Sequence, residues 1–254
     1  MAGEFALIDK YFARATPAAI LGPGDDCALL QPSPGMQLAV TTDMLVAGTH
    51  FLANTDPRRL GWKALAVNIS DLAAMGATPR WALLAGSLPA ADEPWIAAFS
   101  EGFFACAAEY GVDIVGGDTT RGPLSLCVTA LGECAPGQAL RRDGARAGDL
   151  VWVSGRPGLA GLGLAQLQGR IELPAPWPRL CIEVALGLAL LGIASAAIDV
   201  SDGLLADLGH IGERSGLAAS VQLVQLPHLP KGETYDADLR RLALECQLAG
   251  GDDY

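Results

Sequence analysis

Lysine is scarce in this chain of 254 residues: three lysines accompany fourteen arginines, and acidic residues outnumber basic ones by 28 to 17. The formal net charge is therefore −11. A general nucleic-acid-binding protein needs a basic face that displaces counterions from phosphate, so this balance argues against one. Small phosphorylated ligands remain compatible if metal ions offset the repulsion between anions.

Two common phosphate-binding motifs are also lacking. The sequence contains no G-x-x-x-x-G-K-[ST], and its glycines do not form G-x-G-x-x-G after a strand. With few lysines, the charge of a triphosphate would be neutralised mainly by metal ions and a few arginines. Arg121 and Arg142 are candidates by position, and an ordinary solvated surface role fits each of them equally well.

No cysteine pair has C-x-x-C spacing, and the six cysteines have mostly apolar neighbours: Cys27, Cys106, Cys127, Cys134, Cys181 and Cys246. We expect them to be reduced core residues of a cytoplasmic protein. The N-terminus shows no basic region followed by an apolar run. The most apolar stretch, 184–198, is shorter than the about 20 residues that a bilayer requires. Neither a secretory signal nor a membrane span is predicted.

Length and periodicity predict two α/β domains, because 254 residues exceed one typical core and half of them are apolar. A polar, turn-rich segment at 135–148 sets the predicted boundary, giving domains 1–137 and 138–254. Predicted helices are 4–14, 57–75 (interrupted near Ser70), 95–110, 180–191 and 202–214. Predicted strands are 38–42, 81–88, 112–115, 124–133, 150–154, 196–200 and 219–224. This alternation is typical of α/β or α+β folds.

Aspartates recur at the ends of apolar segments, several of them beside glycine, which lets a ligand approach the backbone. Six segments share the pattern: 24–26, 41–43, 68–71, 116–118, 198–202 and 250–253. Any one of these aspartates is more often a helix N-cap or a turn residue than a ligand. Six together favour a magnesium site, because clustered carboxylates repel one another without a counterion and are ligands that Mg²⁺ takes beside phosphates.

Six strings, in order, resemble the motif set of thiamine-monophosphate kinases and cover essentially the whole chain: GPGDD at 22–26, TTDMLVAGTHF at 41–51, ALAVNISDLAAMGA at 64–77, VGGDTTRG at 115–122, IDVSDGL at 198–204 and GGDDY at 250–254. That family belongs with the aminoimidazole ribonucleotide synthetase-like ATP-binding enzymes. The resemblance implies an N-terminal α/β domain that pairs its sheet across a homodimer, followed by a C-terminal α/β domain.

Selenophosphate synthetase and the hydrogenase-maturation dehydratase share this architecture. Both fit less well, because no reactive cysteine lies in a glycine-rich N-terminal loop and T-D-x-L-V-x-G-x-H-F is typical of the thiamine enzyme.

The resemblance also implies roles for individual residues. The implied Mg²⁺ ligands, direct or through water, are Asp26, Thr41, Thr42, Asp43, Asp71, Asp118, Asp199 and Asp202. The implied ATP contacts are Gly117, Asp118, Arg142 and Ser201. His50 and Asp252 would face thiamine monophosphate. A lone histidine is otherwise more often a satisfied structural residue, and Asp252 is shorter than the glutamate that is usual at its position in the family.

The implied reaction transfers the γ-phosphate of ATP directly onto thiamine monophosphate, with several Mg²⁺ ions and no covalent intermediate. The accepting phosphate oxygen is already ionised, so no general base, and no catalytic Ser, His or Cys, is assigned. Two alternatives stay open: a superfamily enzyme with a different acceptor, and a non-catalytic protein that binds ATP and Mg²⁺.

The string GGDDY stands at the end of the chain, whereas the family continues with further strands and a helix. We therefore expect this 254-residue form to be a fragment with an incomplete C-terminal domain.

Overall fold

The computed structural model describes residues 4–172, 182–226 and 237–251. In chain order the elements are α1 (Glu4–Tyr11), β1 (Gln37–Val46), α2 (Pro57–Ala74), β2 (Thr78–Leu88), α3 (Glu93–Tyr110), β3 (Asp113–Arg121), β4 (Ser125–Cys134), α4 (Leu159–Leu167), α5 (Val184–Ala189), α6 (Leu204–Ser215), a 3₁₀ turn (Leu223–Gln225) and α7 (Ala237–Ala249). The chain divides into two compact units. Unit 1 comprises Met1–Ala139 and Ile182–Leu191, and unit 2 comprises Leu140–Cys181 and Gly192–Tyr254.

The two long helices of unit 1 begin at aspartate N-caps. The side chain of Asp56 accepts a hydrogen bond from the Arg59 N–H at 2.9 Å before α2, and Asp92 accepts one from the Trp95 N–H at 3.3 Å before α3. A proline follows each cap within the first turn, where its missing N–H has no intrahelical partner to lose. Gly111, with φ of 67°, ends α3 in a left-handed conformation. Local sequence chemistry therefore fixes both helices.

The four strands of unit 1 form one sheet in the order β1-β4-β2-β3. β2 and β3 are parallel and are joined through α3, whereas β4 pairs antiparallel with both β1 and β2. α2 packs on the sheet and α3 packs on α2. Trp81, Phe99, Phe103, Leu65 and Ile69 form the centre of this core, each at most 1% exposed. The sheet and α2 thus carry the predicted site residues of β1, α2 and β3.

α5 belongs to unit 1 although the sequence places it beyond the predicted boundary. It packs against α2, where a Cβ on Gly187 would lie 2.1 Å from the Ala73 carbonyl oxygen. In unit 2, α7 packs against α4 and α6. The predicted division into domains 1–137 and 138–254 stays a prediction.

Three element predictions in unit 1 need correction. β1 extends to Val46, so Asp43 lies inside the strand and not at its end. α2 runs unbroken through the buried Ser70, and Asp71 is an interior helix residue, not an N-cap. β3 continues through Gly116, Gly117 and Asp118 to Arg121, because its pairing with β2 resumes after a register shift between Ala82 and Leu83.

The predicted strands of unit 2 are wrong. Residues 150–154, 196–200 and 219–224 form no ladder, and among the residues described beyond Cys134 no strand occurs. Leu150 and Trp152 are 78% and 85% exposed. Apolar runs favour a strand, but a strand also needs a partner with which its backbone forms hydrogen bonds.

Two other expectations concern cysteines and membranes. Cys106 and Cys134 are buried, whereas Cys27 is exposed, so the prediction of core cysteines is wrong for Cys27; Cys181 lies outside the described residues. No helix in the described part of the chain is both long and apolar enough to cross a membrane.

Candidate active site

β1 and α2 bring together the first group of predicted residues. The Thr41 hydroxyl donates a short hydrogen bond to the Asp71 carboxylate on α2. The Asp43 N–H donates to Oδ1 of Asn68 at 3.1 Å. Side chains alternate along a strand, so Thr41 and Asp43 share the face toward α2. Asn68 and Asp71 share one face of α2 because they are three residues apart.

Asn68 is a residue that the sequence analysis missed. It is fully buried, and its Nδ2 donates to the Ala64 carbonyl at 3.2 Å while its Oδ1 accepts from Asp43. The signal was present in the sequence: a buried amide in an apolar helix needs polar partners, and the string NISD places it one turn before Asp71. Asn68 therefore fixes the position of the Asp43 backbone.

Thr42 points the other way. Its hydroxyl donates to the Val128 carbonyl at 3.0 Å and lies 3.1 Å from Oγ1 of Thr129, both on β4. The alternation along β1 therefore separates the Thr42 side chain from those of Thr41 and Asp43.

Asp26 lies in the segment Gly22–Cys27, which we call the acidic turn. The Asp26 N–H donates to Oδ1 of Asp25 at 2.8 Å, and both aspartates are exposed. Leu21 and Leu29 form a bridge that closes the turn.

Gly117 and Asp118 lie on β3 opposite Leu84 and Ala85 of β2. Gly117 has φ of 152°, and a Cβ there would lie 1.8 Å from the Leu84 carbonyl oxygen. Any side chain would clash with this backbone, so the position requires glycine. The adjacent Asp118 is exposed and available to a ligand.

His50 is exposed in the loop that follows β1. Its Nδ1 accepts a hydrogen bond from the Val46 N–H at 3.0 Å, and its carbonyl accepts one from Nζ of Lys63 at 3.1 Å. Since Nδ1 acts as an acceptor, the neutral ring carries its proton on Nε2. His50 therefore presents an N–H donor at Nε2, which suits a phosphate oxygen.

In unit 2, the predicted residues Asp199, Ser201 and Asp202 precede α6. Oδ2 of Asp207 accepts hydrogen bonds from the N–H groups of Ser201, Asp202 and Gly203, each at 3.0 Å. Asp207 is 2% exposed and was missed by the sequence analysis. An acidic residue in the first turn of a helix was the available signal. Asp207, not Asp202, holds the start of the helix, and Gly203 is the N-cap residue.

The remaining predicted residues of unit 2 are Arg142 and Asp252. The exposed Arg142 has its carbonyl bonded by the Ser215 hydroxyl at 2.9 Å. Beside it, Arg141 forms an ion pair with Asp143 at 2.5 Å, which holds the pKa of Asp143 below its ordinary value. Asp252 lies outside the described residues, but the preceding Gly251 packs on Ser201: a Cβ there would lie 2.2 Å from the Ser201 carbonyl oxygen.

The donor set fits Mg²⁺ in chemical type, since it consists of carboxylate and hydroxyl oxygens. Among the described residues, the only group of three acidic, histidine or cysteine side chains with ligand atoms within 4.8 Å of one another is Asp202, Asp207 and His210. The predicted ligands of unit 1 form no such group, so phosphate or water oxygens would have to complete any coordination shell there. A cavity of about 400 Å³ beside α6 and α7 is mainly apolar and is lined by none of the predicted site residues.

Known proteins resemble the chain over nearly its whole length. Thiamine-monophosphate kinase of Salmonella typhimurium (strain LT2) is 47% identical over 272 residues, which covers 99% of this chain and 81% of that protein. The chain belongs to the thiamine-monophosphate kinase family. The N-terminal domain family of AIR synthase related proteins matches residues 24–134, so the superfamily expectation is also confirmed.

Solved structures of thiamine-monophosphate kinases share the fold. The crystal structure from Stenotrophomonas maltophilia K279a has a TM-score of 0.85 and 50% identity, covering 99% of this chain and 84% of that one. AaThiL complexed with AMPPCP and TMP has a TM-score of 0.77 and 31% identity, covering 99% of this chain and 83% of that one. The expected α/β fold of the kinase family is therefore confirmed.

Proposed function

We propose that this protein transfers the γ-phosphate of ATP to thiamine monophosphate and forms thiamine diphosphate in the cytoplasm. The observation that carries the proposal is the 47% identity to a thiamine-monophosphate kinase across 99% of the chain. A related structure with AMPPCP and TMP bound supports the pair of substrates.

We propose a division of roles between the two units. In unit 1, Asp26, Thr41, Asp43, Asp71 and Asp118 are the proposed metal-binding residues, and Gly117 and Asp118 the proposed ATP contacts. In unit 2, Asp199 and Asp202 are proposed metal-binding residues, and Arg142 and Ser201 ATP contacts. His50 and Asp252 are the proposed contacts to thiamine monophosphate. We leave the Thr42 side chain out of the ligand set, because it bonds to β4 on the opposite face of the sheet.

The chain's own residues act by holding and orienting two polyanions. Thr41 donates to Asp71, which fixes the orientation of that carboxylate. Nε2–H of His50 donates to a phosphate oxygen, and the close packing of Gly117 on Leu84 holds the neighbouring Asp118 in place. No residue has to remove a proton, since the accepting phosphate is already ionised. Mg²⁺, when bound, supplies positive charge that offsets the repulsion between the phosphates.

A direct assay tests this function. Purified protein should form thiamine diphosphate from ATP and thiamine monophosphate with Mg²⁺, and chelation should abolish the product. Asp71→Asn and Asp43→Asn should each lower turnover at least about a hundredfold, whereas Asp9→Asn on α1, an exposed aspartate outside the site, should leave it unchanged.

Two outcomes would contradict the proposal. Near-normal turnover in both site variants would exclude these aspartates as metal ligands. Tight binding of ATP and Mg²⁺ without release of ADP on addition of thiamine monophosphate would indicate a non-catalytic nucleotide-binding protein instead.

A homodimer is the proposed quaternary state. The face of β1 turned away from α2 carries Leu38, Val40 and Met44, which are 43%, 61% and 58% exposed. Exposed apolar side chains in a row on an edge strand mark an interaction surface or a liability for aggregation. Pairing of this face with a second copy would cover them.

A further inference from the structure

The acidic turn is closed by its own backbone. The Ile20 N–H donates to the Leu29 carbonyl at 2.8 Å, and the Leu29 N–H donates to the Leu21 carbonyl at 2.9 Å. Within the turn, Gly24 has φ of 121°, which a side chain disfavours. The turn therefore has a defined shape, but these bonds alone do not fix its position on the sheet.

On its N-terminal side, the sheet holds the turn through Ala18. Oδ2 of Asp113, at the start of β3, accepts a hydrogen bond from the Ala18 N–H at 2.6 Å. Nε1 of Trp81, on β2, donates to the Ala18 carbonyl at 2.9 Å. Trp81 is fully buried and cannot move without disturbing the core. The backbone N–H and C=O groups of Ala18 are thus bonded to the neighbouring strands β3 and β2.

On its C-terminal side, the sheet holds the turn through Ser33. Oε1 of Glu133, near the end of β4, accepts from the Ser33 N–H at 2.6 Å, and Oε2 accepts from the Ser33 hydroxyl at 3.0 Å. Glu133 is 5% exposed. Nε of Arg80 lies 3.5 Å from Oε2, an ion-pair distance, and makes no hydrogen bond with any described residue.

A buried carboxylate destabilises a fold unless hydrogen bonds or opposite charges compensate it. Both carboxylate oxygens of Glu133 accept hydrogen bonds from Ser33, and the carboxylate of Asp113 accepts one from the Ala18 N–H. Hydrogen bonds from N–H groups to a carboxylate are stronger than those between neutral groups. Such bonds hold the loop more firmly than the closing bridge could.

We propose that Asp113 and Glu133 are positioning residues for the acidic turn, fastening its two flanks to the sheet so that Asp26 is in place before metal and nucleotide bind. The inference rests on the proposed function of Asp26. Neither residue belongs to the predicted ligand set. Without them, the turn would have to be ordered at the moment of binding, and that entropy cost would weaken the affinity.

Hydrogen exchange on the ligand-free protein tests the attachment directly. Asp113→Ala and Glu133→Ala should each speed amide exchange at Ala18, Ile20, Leu21 and Leu29 by about tenfold or more, with α2 and α3 unchanged. Asp113→Asn and Glu133→Gln, which keep an acceptor oxygen, should restore most of the protection. The two flanks are tested separately, so one variant that fails to fold leaves the other informative.

Metal binding tests the consequence. Thermal shifts with AMPPCP should show that each alanine variant needs at least about fivefold more Mg²⁺ for half-maximal stabilisation, while kcat at saturating Mg²⁺ changes less. In an Asp26→Asn background, Asp113→Ala should shift the Mg²⁺ requirement by less than about twofold, because the carboxylate it positions is gone.

Three results would overturn the positioning role: unchanged exchange in the turn, exchange that rises equally throughout unit 1, or an equal effect of Asp113→Ala with and without Asp26. If AMPPCP and Mg²⁺ fail to stabilise the wild-type protein at all, the proposed function fails and the positioning role with it. The exchange data would still show whether the two carboxylates hold the turn.

Discussion

Asp207 shows how one atom can organise a segment of backbone. Its Oδ2 accepts three N–H groups, from the N-cap residue Gly203 and from Ser201 and Asp202 before it, where the chain enters α6. The negative charge also suits the positive end of the helix dipole. An oxygen with three donors has little capacity left for a cation. We therefore interpret Asp207, within its group with Asp202 and His210, as a residue that holds the helix start.

Replacing Asp207 tests this interpretation. Asp207→Ala should lower the free energy of unfolding by about 2 kcal/mol or more, because the amides lose a charged partner in a buried place. Asp207→Asn should cost less, since one oxygen remains. His210→Ala, at an exposed position one turn further along α6, is the matched control. The free energies of unfolding would be measured by urea denaturation. Equal values for Asp207→Ala and His210→Ala would contradict the capping role.

At the scale of elements, α2 and α3 meet backbone to backbone. A Cβ on Gly102 of α3 would lie 1.8 Å from the Arg58 carbonyl oxygen, and one on Gly61 of α2 would lie 2.1 Å from that of Phe99. Glycine usually weakens a helix by about 1 kcal/mol relative to alanine. Here glycine lets the two helix backbones approach closely. Replacement by alanine would therefore raise helix propensity but introduce a steric clash.

The two effects can be separated by comparing glycines. Gly102→Ala should destabilise unit 1 by about 1–3 kcal/mol, because overpacking outweighs the gain in helix propensity. Gly209→Ala on α6 meets no atom within 4 Å and should stabilise by up to about 1 kcal/mol. Melting temperatures of the two variants and the wild type would test both expectations. A Gly102→Ala protein that melts at a higher temperature than the wild type would contradict the close contact between α2 and α3.

A polar contact joins α1 to α3 and has a pH dependence. The Lys10 ammonium, 2.7 Å from Oε2 of Glu93, and the Tyr11 hydroxyl at 3.0 Å hold the pKa of Glu93 below its ordinary value. Its contribution to stability is therefore complete above the ordinary glutamate pKa of about 4.3 and is lost as the pH falls through the lowered pKa.

Glu93→Gln should accordingly lower the melting temperature near pH 6, and its difference from the wild type should shrink as the pH falls below about 4. In a Lys10→Met background the same substitution should have a smaller and less pH-dependent effect, because the main partner is absent. A difference that grows toward acidic pH would contradict the assignment.

The elements differ in how far sequence predicts them. The helix predicted at 57–75 is observed at Pro57–Ala74, because caps and prolines are local signals. The strand predicted at 124–133 is observed at Ser125–Cys134, whereas β1, β2 and β3 extend beyond their predicted ranges, since the sequence does not show which partner extends a ladder. The predicted strand at 196–200 is not formed. Strand formation depends on non-local pairing, which a single segment does not encode.

For the candidate site, the motifs located Thr41, Asp43 and Asp71, which the structure places together at β1 and α2. The resemblance grouped Thr42 with Thr41 and Asp43, whereas alternation along a strand separates its side chain from theirs, as the structure shows. Asn68 and Asp207 each left a signal in the sequence, a polar amide in an apolar helix and an acidic residue in a first helical turn. Their roles were missed because the partners of their side-chain oxygens are backbone N–H groups, and the sequence does not show which ones. The roles of all predicted site residues stay proposals.

At the scale of the whole molecule, net charge and the exposed face of β1 act in opposite directions. Two copies of a chain with a net charge of −11 repel each other. Burial of Leu38, Val40 and Met44 would favour association by removing apolar area from water. Added salt screens the repulsion and leaves the apolar term, so it should favour the dimer.

Sedimentation should therefore show a dimer that Val40→Lys with Met44→Lys shifts to monomer. Leu167→Lys, at a residue of α4 that is 70% exposed, should not change the association and serves as control. A wild-type protein that is monomeric at all salt concentrations would exclude the proposed dimer.

The two faces of β1 also constrain how the gene can change. Thr41 and Asp43 face α2, while Val40, Thr42 and Met44 occupy the other face. Deletion of one codon between Leu38 and Thr41 would shift the later residues by one position and exchange these faces, turning Asp43 outward and an apolar side chain toward α2. Loss of two codons would preserve the alternation. A substitution in β1 therefore changes one side chain on one face. An insertion or deletion keeps both faces in place only if it comprises an even number of residues.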